Sequence, residues 1–290
     1  MKKHMAWYLY CRSWLFGLIV LSILPIAATF AQNPAQAWQA IDNQDYETAI
    51  RIFQQLANKG DPDGEYGLGY MFWRGLGEER DMAKALDQLT RAAKNGHVAA
   101  KMGLGYIHLY GVGVPVDLAL AEYWYQQGVD AGSAYGYNGV AYVWALQGRN
   151  LPQALEFIDK ALTADPQDPE MLDTKGWILY QMQAYDQAFH FVCLAMLGKP
   201  GDPELRLHLG DIYWALGLNE KAKQEWLQGL SFAESRYLMT DESKEYIDGQ
   251  GINNWQQSLQ GRLQQLEIPN PRTNAPAPNK AQYDCLQPIS

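Results

Sequence analysis

Cysteine is scarce in this chain: Cys11, Cys193 and Cys285 are the three among 290 residues. That excludes a disulfide-dense scaffold and a multi-cysteine zinc module. Charge is thin as well, at 19% of residues, and cations are the shorter side, with 23 Lys and Arg against 32 Asp and Glu. A formal charge of −9 argues against nucleic-acid binding through a basic face. Catalytic signatures are missing too. There is no Gly-x-Ser-x-Gly elbow. Gly75-Leu76-Gly77 and Gly111-Val112-Gly113 lack the further glycine and the lysine of a phosphate loop. Acidic residues are scattered, so no carboxylate pair can be named. His190 and Cys193 share a spacing of three, but no third ligand converges on them, and no metal or other cofactor is expected.

One long apolar run exists, from Trp14 to Ala28, behind Lys2, Lys3 and Arg12. Small residues follow, and Thr29-Phe30-Ala31 offers a cleavage site before Gln32. This order predicts a secretory signal over residues 1–31. The run is short for a membrane span, which needs about 20 residues, and Pro25 interrupts it. A retained N-terminal anchor is the alternative. Losing three cations and no anion leaves 20 against 32, so the remainder carries −12. The expectation is an acidic periplasmic or secreted protein, with no later membrane span.

What the sequence has in quantity is rings, ten Trp and eighteen Tyr, together with an internal period. Gly69, Gly75, Gly77, Asp81, Ala85 and Gly96 recur 36 residues later as Gly105, Gly111, Gly113, Asp117, Ala121 and Gly132. Further on the offset becomes 34, through Ala154, Ala188 and Ala222, through Ala161 and Ala195, and through Gly176 and Gly210. A fixed period of this size is the signature of stacked supersecondary units. Each unit reads as two helices. Glycine on the first and alanine on the second let the pair approach closely, and Asp81 and Asp117 stand as N-caps.

On these residues the 36-residue units resemble Sel-one-like repeats, and the 34-residue units, with Gly-x(11)-Ala-x(6)-Ala, resemble tetratricopeptide repeats. The resemblance implies an all-α fold, a right-handed α-α superhelix of about six hairpins over residues 32–236. Some exported Sel-one-like proteins bind or weakly cleave cell-wall or β-lactam compounds. Those carry a cysteine pair in each repeat, which this chain lacks, so that activity does not carry over. After residue 236 the period fades. Ile252, Trp255, Leu259, Leu263 and Leu266 form one apolar helical stripe. It predicts a capping helix within residues 237–268, because a solenoid must cover its open end. Five prolines then make 269–290 a flexible tail. Cys193 and Cys285 can pair across 92 residues, or stand as a packing residue and a free thiol.

The resemblance also implies that first helices line a concave groove. The positions facing it are Tyr66, Tyr70 and Trp73, then Met102 and Tyr106, then Asp173, Trp177 and Tyr180, then Asp211 and Trp214. Tyr and Trp anchors beside carboxylates suit a partner segment. The expected function is a non-enzymatic interaction scaffold of the bacterial cell envelope, taking a segment of another envelope protein in that groove. A glycan- or peptidoglycan-binding module, and a cell-wall-acting hydrolase, are the alternatives.

Overall fold

A computed structural model describes residues 33–238, 249–266 and 283–285. The predicted signal and most of the proline-rich tail lie outside the described residues, as do the side chains of Ile252 and Trp255. The described residues form thirteen α-helices and no strand. Six hairpins follow one another: α1 (Pro34–Asp42) with α2 (Tyr46–Ala57), α3 (Pro62–Arg74) with α4 (Met82–Lys94), and α5 (Val98–Tyr110) with α6 (Leu118–Val129). Then come α7 (Ala134–Leu146) with α8 (Leu151–Leu162), α9 (Pro169–Gln181) with α10 (Tyr185–Gly198), and α11 (Pro203–Ala215) with α12 (Asn219–Leu238). A thirteenth helix, α13 (Gly249–Gln265), closes the stack.

Local chemistry starts and stops these helices. The carboxylates of Asp61, Asp81, Asp117, Asp168 and Asp202 accept hydrogen bonds from backbone N–H groups in the first turns of α3, α4, α6, α9 and α11. Each such cap contributes about 1 kcal/mol. Proline opens α3, α9 and α11, where its missing N–H costs nothing. Gly75 and Gly111 end α3 and α5 at φ of 67° and 70°, a left-handed turn that side chains resist.

Small residues set the distance between paired helices. Ala85, Ala121, Ala154, Ala188 and Ala222 are fully buried on the second helices. Opposite them, a Cβ added to Gly69 would meet Leu89 at 2.7 Å. One on Gly105 would meet Tyr125 at 2.6 Å, and one on Gly176 would meet Val192 at 2.5 Å. Gly229 breaks the alanine pattern for a visible reason. A Cβ there would stand 2.9 Å from Cβ of Arg206 on α11 and 3.2 Å from Leu259 of α13. The notch on α12 seats the terminal helix, whose Leu259 is fully buried with Leu263 and Leu266 packed beside it.

The stack curves toward its first helices. Besides sequence neighbours, the helices that touch include α1 with α3, α5 with α7, α7 with α9, and α9 with α11. First helices converge, which places them on the concave side.

Two glycines test this packing. A Cβ on Gly210 would fall 2.3 Å from the fully buried Trp226 ring, whereas one on Gly261 meets nothing within 4 Å. Gly210→Ala should cost about 2 kcal/mol or more through overpacking. Gly261→Ala should be neutral or stabilising by up to about 1 kcal/mol. Chemical denaturation of the two variants checks the contrast.

Candidate functional site

The concave face has two different halves. In the first half, rings dominate. Trp38 of α1 lies 5.8 Å from Tyr66 and 5.3 Å from Tyr70 of α3, between ring centroids. Tyr66 stacks on His97 at 4.2 Å. Trp73 continues the series 5.9 Å from Tyr106 of α5, and Tyr106 meets Tyr110 at 4.7 Å. All six aromatic residues are half-buried, so each keeps some surface toward water. Tyr66, Tyr70, Trp73 and Tyr106 of the predicted groove are therefore brought together. Met102 is not among them: its methyl occupies the space over Gly128 of α6, where a Cβ would collide at 2.1 Å.

In the second half the groove positions are engaged with the fold itself. Asp173 of α9 receives Nδ1 of His208 of α11 at 2.9 Å from both carboxylate oxygens. The His208 ring, 3% exposed, stacks at 4.2 Å on Trp177, which stacks in turn on Tyr180 at 4.7 Å. Asp211, 2% exposed, accepts two hydrogen bonds from the Arg262 guanidinium of α13, at 2.8 and 2.9 Å. Trp214 tilts against Trp226 at 5.9 Å. Above this cluster the Tyr142 hydroxyl of α7 donates to the Glu204 carboxylate of α11, bridging over α9.

These contacts move the ionisable groups. Burial lifts the Glu204 carboxyl to about 7; His208 pulls it down and Asp173 pushes it up. Burial opposes a charge on His208, but Asp173, reinforced by Glu204 and Asp211, outweighs it and holds the imidazolium up to about 9. Burial also pushes the Tyr110 and Tyr142 phenols up, so both stay neutral and Tyr142 remains a donor to Glu204. The result is two ion pairs spanning α9, α11 and α13, with a hydrogen bond from α7 to α11 beside them. The partners shown for His208 are a carboxylate and an indole face, and no group of three or more His, Cys, Asp or Glu among the described residues could hold a metal.

Sequence reasoning missed Trp38, Tyr110, Tyr142, Glu204, His208 and Arg262. Tyr142 had a signal, since it lies 36 residues after Tyr106. Glu204, His208 and Arg262 had none, because a repeat period says nothing about contacts between units.

Cys193 and Cys285 are joined in the structure, with Cα atoms 5.2 Å apart. This brings the tail back onto the fifth hairpin.

The two raised pKa values carry the same sign. Glu204 and His208 each bind a proton more tightly folded than unfolded, so each stabilises at low pH and loses that contribution as pH rises. The Glu204 part fades from about 4.5 to about 7, and the His208 part from 6.5 to about 9. The stability deficit of His208→Asn against the parent should therefore shrink between pH 6.5 and 9. Glu204→Gln should remove the decline between pH 4.5 and 7. Melting temperatures measured against pH decide both.

Comparison with known proteins agrees with this architecture. A Sel1 repeat matches residues 42–61, 62–97 and 98–133, and a tetratricopeptide repeat matches residues 203–235. No curated protein sequence matches the chain. Among solved structures, a Sel1 repeat protein from Oxalobacter formigenes superposes with a TM-score of 0.50 at 18% identity, over 79% of this chain and 99% of that one. The uropathogenic Escherichia coli protective antigen c5321, with an SLR fold, gives 0.52 at 19% identity, over 83% of this chain and 55% of that one. PilW, a widely conserved type IV pilus biogenesis factor, gives 0.51 at 13% identity, over 73% and 96%. At these identities the likeness is one of fold. The repeats and the stack of hairpins agree: the chain carries Sel1 repeats over residues 42–61, 62–97 and 98–133 and a tetratricopeptide repeat over residues 203–235 within its all-helical stack.

Proposed function

We propose that this protein is a non-enzymatic scaffold of the bacterial cell envelope that holds an extended segment of another envelope protein along its concave face. The repeat fold itself supports a protein–protein interaction scaffold. The observation that carries the finer reading is the ring ladder of α1, α3 and α5. Its six half-buried Tyr and Trp rings stand in two contacting sets, Trp38 with Tyr66 and Tyr70 and Trp73 with Tyr106 and Tyr110, whereas the carboxylates and Trp177 of the second half are engaged internally. Rigid aromatic rings supply large contact area at low entropic cost, which is why they dominate binding energy at interfaces. The first half of the groove is then the docking strip, and the second half is the frame that keeps its curvature.

The signal-like N-terminus supports export, and the bonded cysteines agree with an oxidising compartment. Among the described residues no helix is long and apolar enough to cross a membrane. A charge of −12 beyond residue 31 favours a cationic partner segment and predicts salt-sensitive association.

A photo-crosslinker at Tyr106, beside Trp73 in the ladder, should capture a defined envelope protein in cells. Tyr70→Ala with Trp73→Ala should weaken that capture by about 30-fold or more, at about 2 kcal/mol for an anchor. The melting temperature should change little, since both rings keep solvent exposure. Undiminished capture by the double variant rejects the ladder as the docking strip. Retention of the parent protein on isolated cell wall, lost in the double variant, would favour the glycan reading instead.

A further inference from the structure

The described part of the tail does not merely touch the solenoid; it is held at several points. Tyr283 is 5% exposed. Its carbonyl accepts a hydrogen bond from the Tyr213 hydroxyl of α11 at 3.2 Å and another from the Lys221 ammonium of α12. Its own hydroxyl donates to Asp186 in the first turn of α10. Its ring meets Phe189 of α10 edge-on at 5.2 Å. Two residues later, Cys285 is bonded to Cys193, two turns further along α10 from Asp186. One tyrosine is therefore read by main-chain carbonyl, ring and phenol, from three different helices.

The receiving groups belong to the frame. Phe189 and Tyr213 are buried members of the same apolar cluster as Leu209, Ile212 and Trp226. The tail, in contrast, reaches this seam only after residues 267–282, and its non-helical Tyr283-Asp284-Cys285 contacts α10 at Asp186, Phe189 and Cys193. A phenol raised to about 12 stays a neutral donor to Asp186 across the physiological range.

We propose that the seam of α10, α11 and α12 is a recognition site for an extended, tyrosine-bearing segment of a partner protein, occupied in the oxidised chain by its own residues 283–285. The Cys193–Cys285 bond is the latch. Cys285 is half-buried, while Cys193 is 4% exposed. A dithiol therefore opens the latch from the Cys285 side. Its first thiolate attacks Cys285 Sγ, forming a mixed disulfide and releasing the Cys193 thiolate, which takes up a proton. The second thiol of the reductant then displaces Cys285. The dithiol leaves as a cyclic disulfide, having supplied two electrons, and both cysteines end as thiols. Without the covalent bond the tail still competes, because it belongs to the same chain and its rebinding is intramolecular. A partner segment must outbid that, so the site responds to reduction and to partner concentration together. This site is separate from the concave ladder and does not depend on it.

The test uses the full chain and a fluorescent synthetic peptide of residues 280–290 carrying Ser in place of Cys285. The variant Tyr283→Ala with Cys285→Ser empties the seam from within. It should bind the peptide saturably, and about 100-fold more tightly than the oxidised parent does. Changing Tyr283 of the peptide to Ala, or Lys221 of the protein to Ala, should weaken binding about tenfold. Absence of saturable binding to a folded emptied variant overturns the proposal, as does equal binding by the oxidised parent. Should the emptied variant fail to fold, the reduced parent decides. Saturating peptide should displace the tail and raise the alkylation rate of Cys285 about fivefold or more. An unchanged rate overturns the proposal.

Discussion

Close approach of paired helices at small residues is the constraint on which the rest of this structure depends. At Gly69, Gly105, Gly176 and Gly210 a single added carbon would collide with Leu89, Tyr125, Val192 and Trp226. A buried alanine on the second helix of each of the last five hairpins completes the arrangement. With the pair distance set by these notches, each hairpin has one narrow way to stack on the next, and the first helices are drawn together on the concave side. Every later feature inherits its position from that geometry. The residue after the packing glycine is an aromatic at Tyr70 of α3, Tyr106 of α5 and Trp177 of α9. Even the exception obeys the rule: Gly229 leaves its notch open for Leu259 of the terminal helix.

The same curvature produces opposite chemistry along one groove. Near α1, α3 and α5 the inward positions carry uncharged rings, and the rings keep surface toward water. Near α7, α9 and α11 they carry carboxylates and a histidine, and close packing of first helices takes those charges out of water. Buried charges must be paired. Asp173 finds His208, Asp211 finds Arg262, and Glu204 takes the Tyr142 hydroxyl. These contacts link α7, α9, α11 and α13 across units, so the second half is braced where the first half is held chiefly by neighbour packing. The stack therefore has one end braced by contacts between units and one end lined by rings.

Two further devices close the stack. Helix α13 covers the last hairpin with Leu259 and contributes Arg262 to the groove floor, so it seals the apolar end and completes an ion pair at once. The tail returns to the outer seam, where Tyr283 and the Cys193–Cys285 bond fasten it to the fifth and sixth hairpins. Terminal units of solenoids need polar or covered ends. Here the cover is built from a helix on one side and a latched extended segment on the other.

The hairpins, their order and their glycine notches were legible in the sequence, because a repeat needs the same small residue at the same place and so leaves a period. The N-caps at Asp81 and Asp117 and the stripe that includes Leu259, Leu263 and Leu266 were legible for the same local reason: their partners lie within a few turns of chain. The resemblance to repeat stacks placed Tyr66, Tyr70, Trp73 and Tyr106 on first helices, where α3 and α5 carry them. What the period could not carry was the fate of each inward residue. Asp173 and His208 are 35 residues apart, Tyr142 and Glu204 are 62 apart, and Asp211 and Arg262 are 51 apart. Such pairs form only when the curvature of the whole stack brings separate units together. By itself, then, the sequence determined the repeating hairpin and the face on which its rings stand. The tertiary structure alone decided which half of the groove is consumed by its own charges and which half keeps rings at the surface. The physical reason is that burial, and the pairing that burial forces, are properties of the assembled curve and not of any one unit.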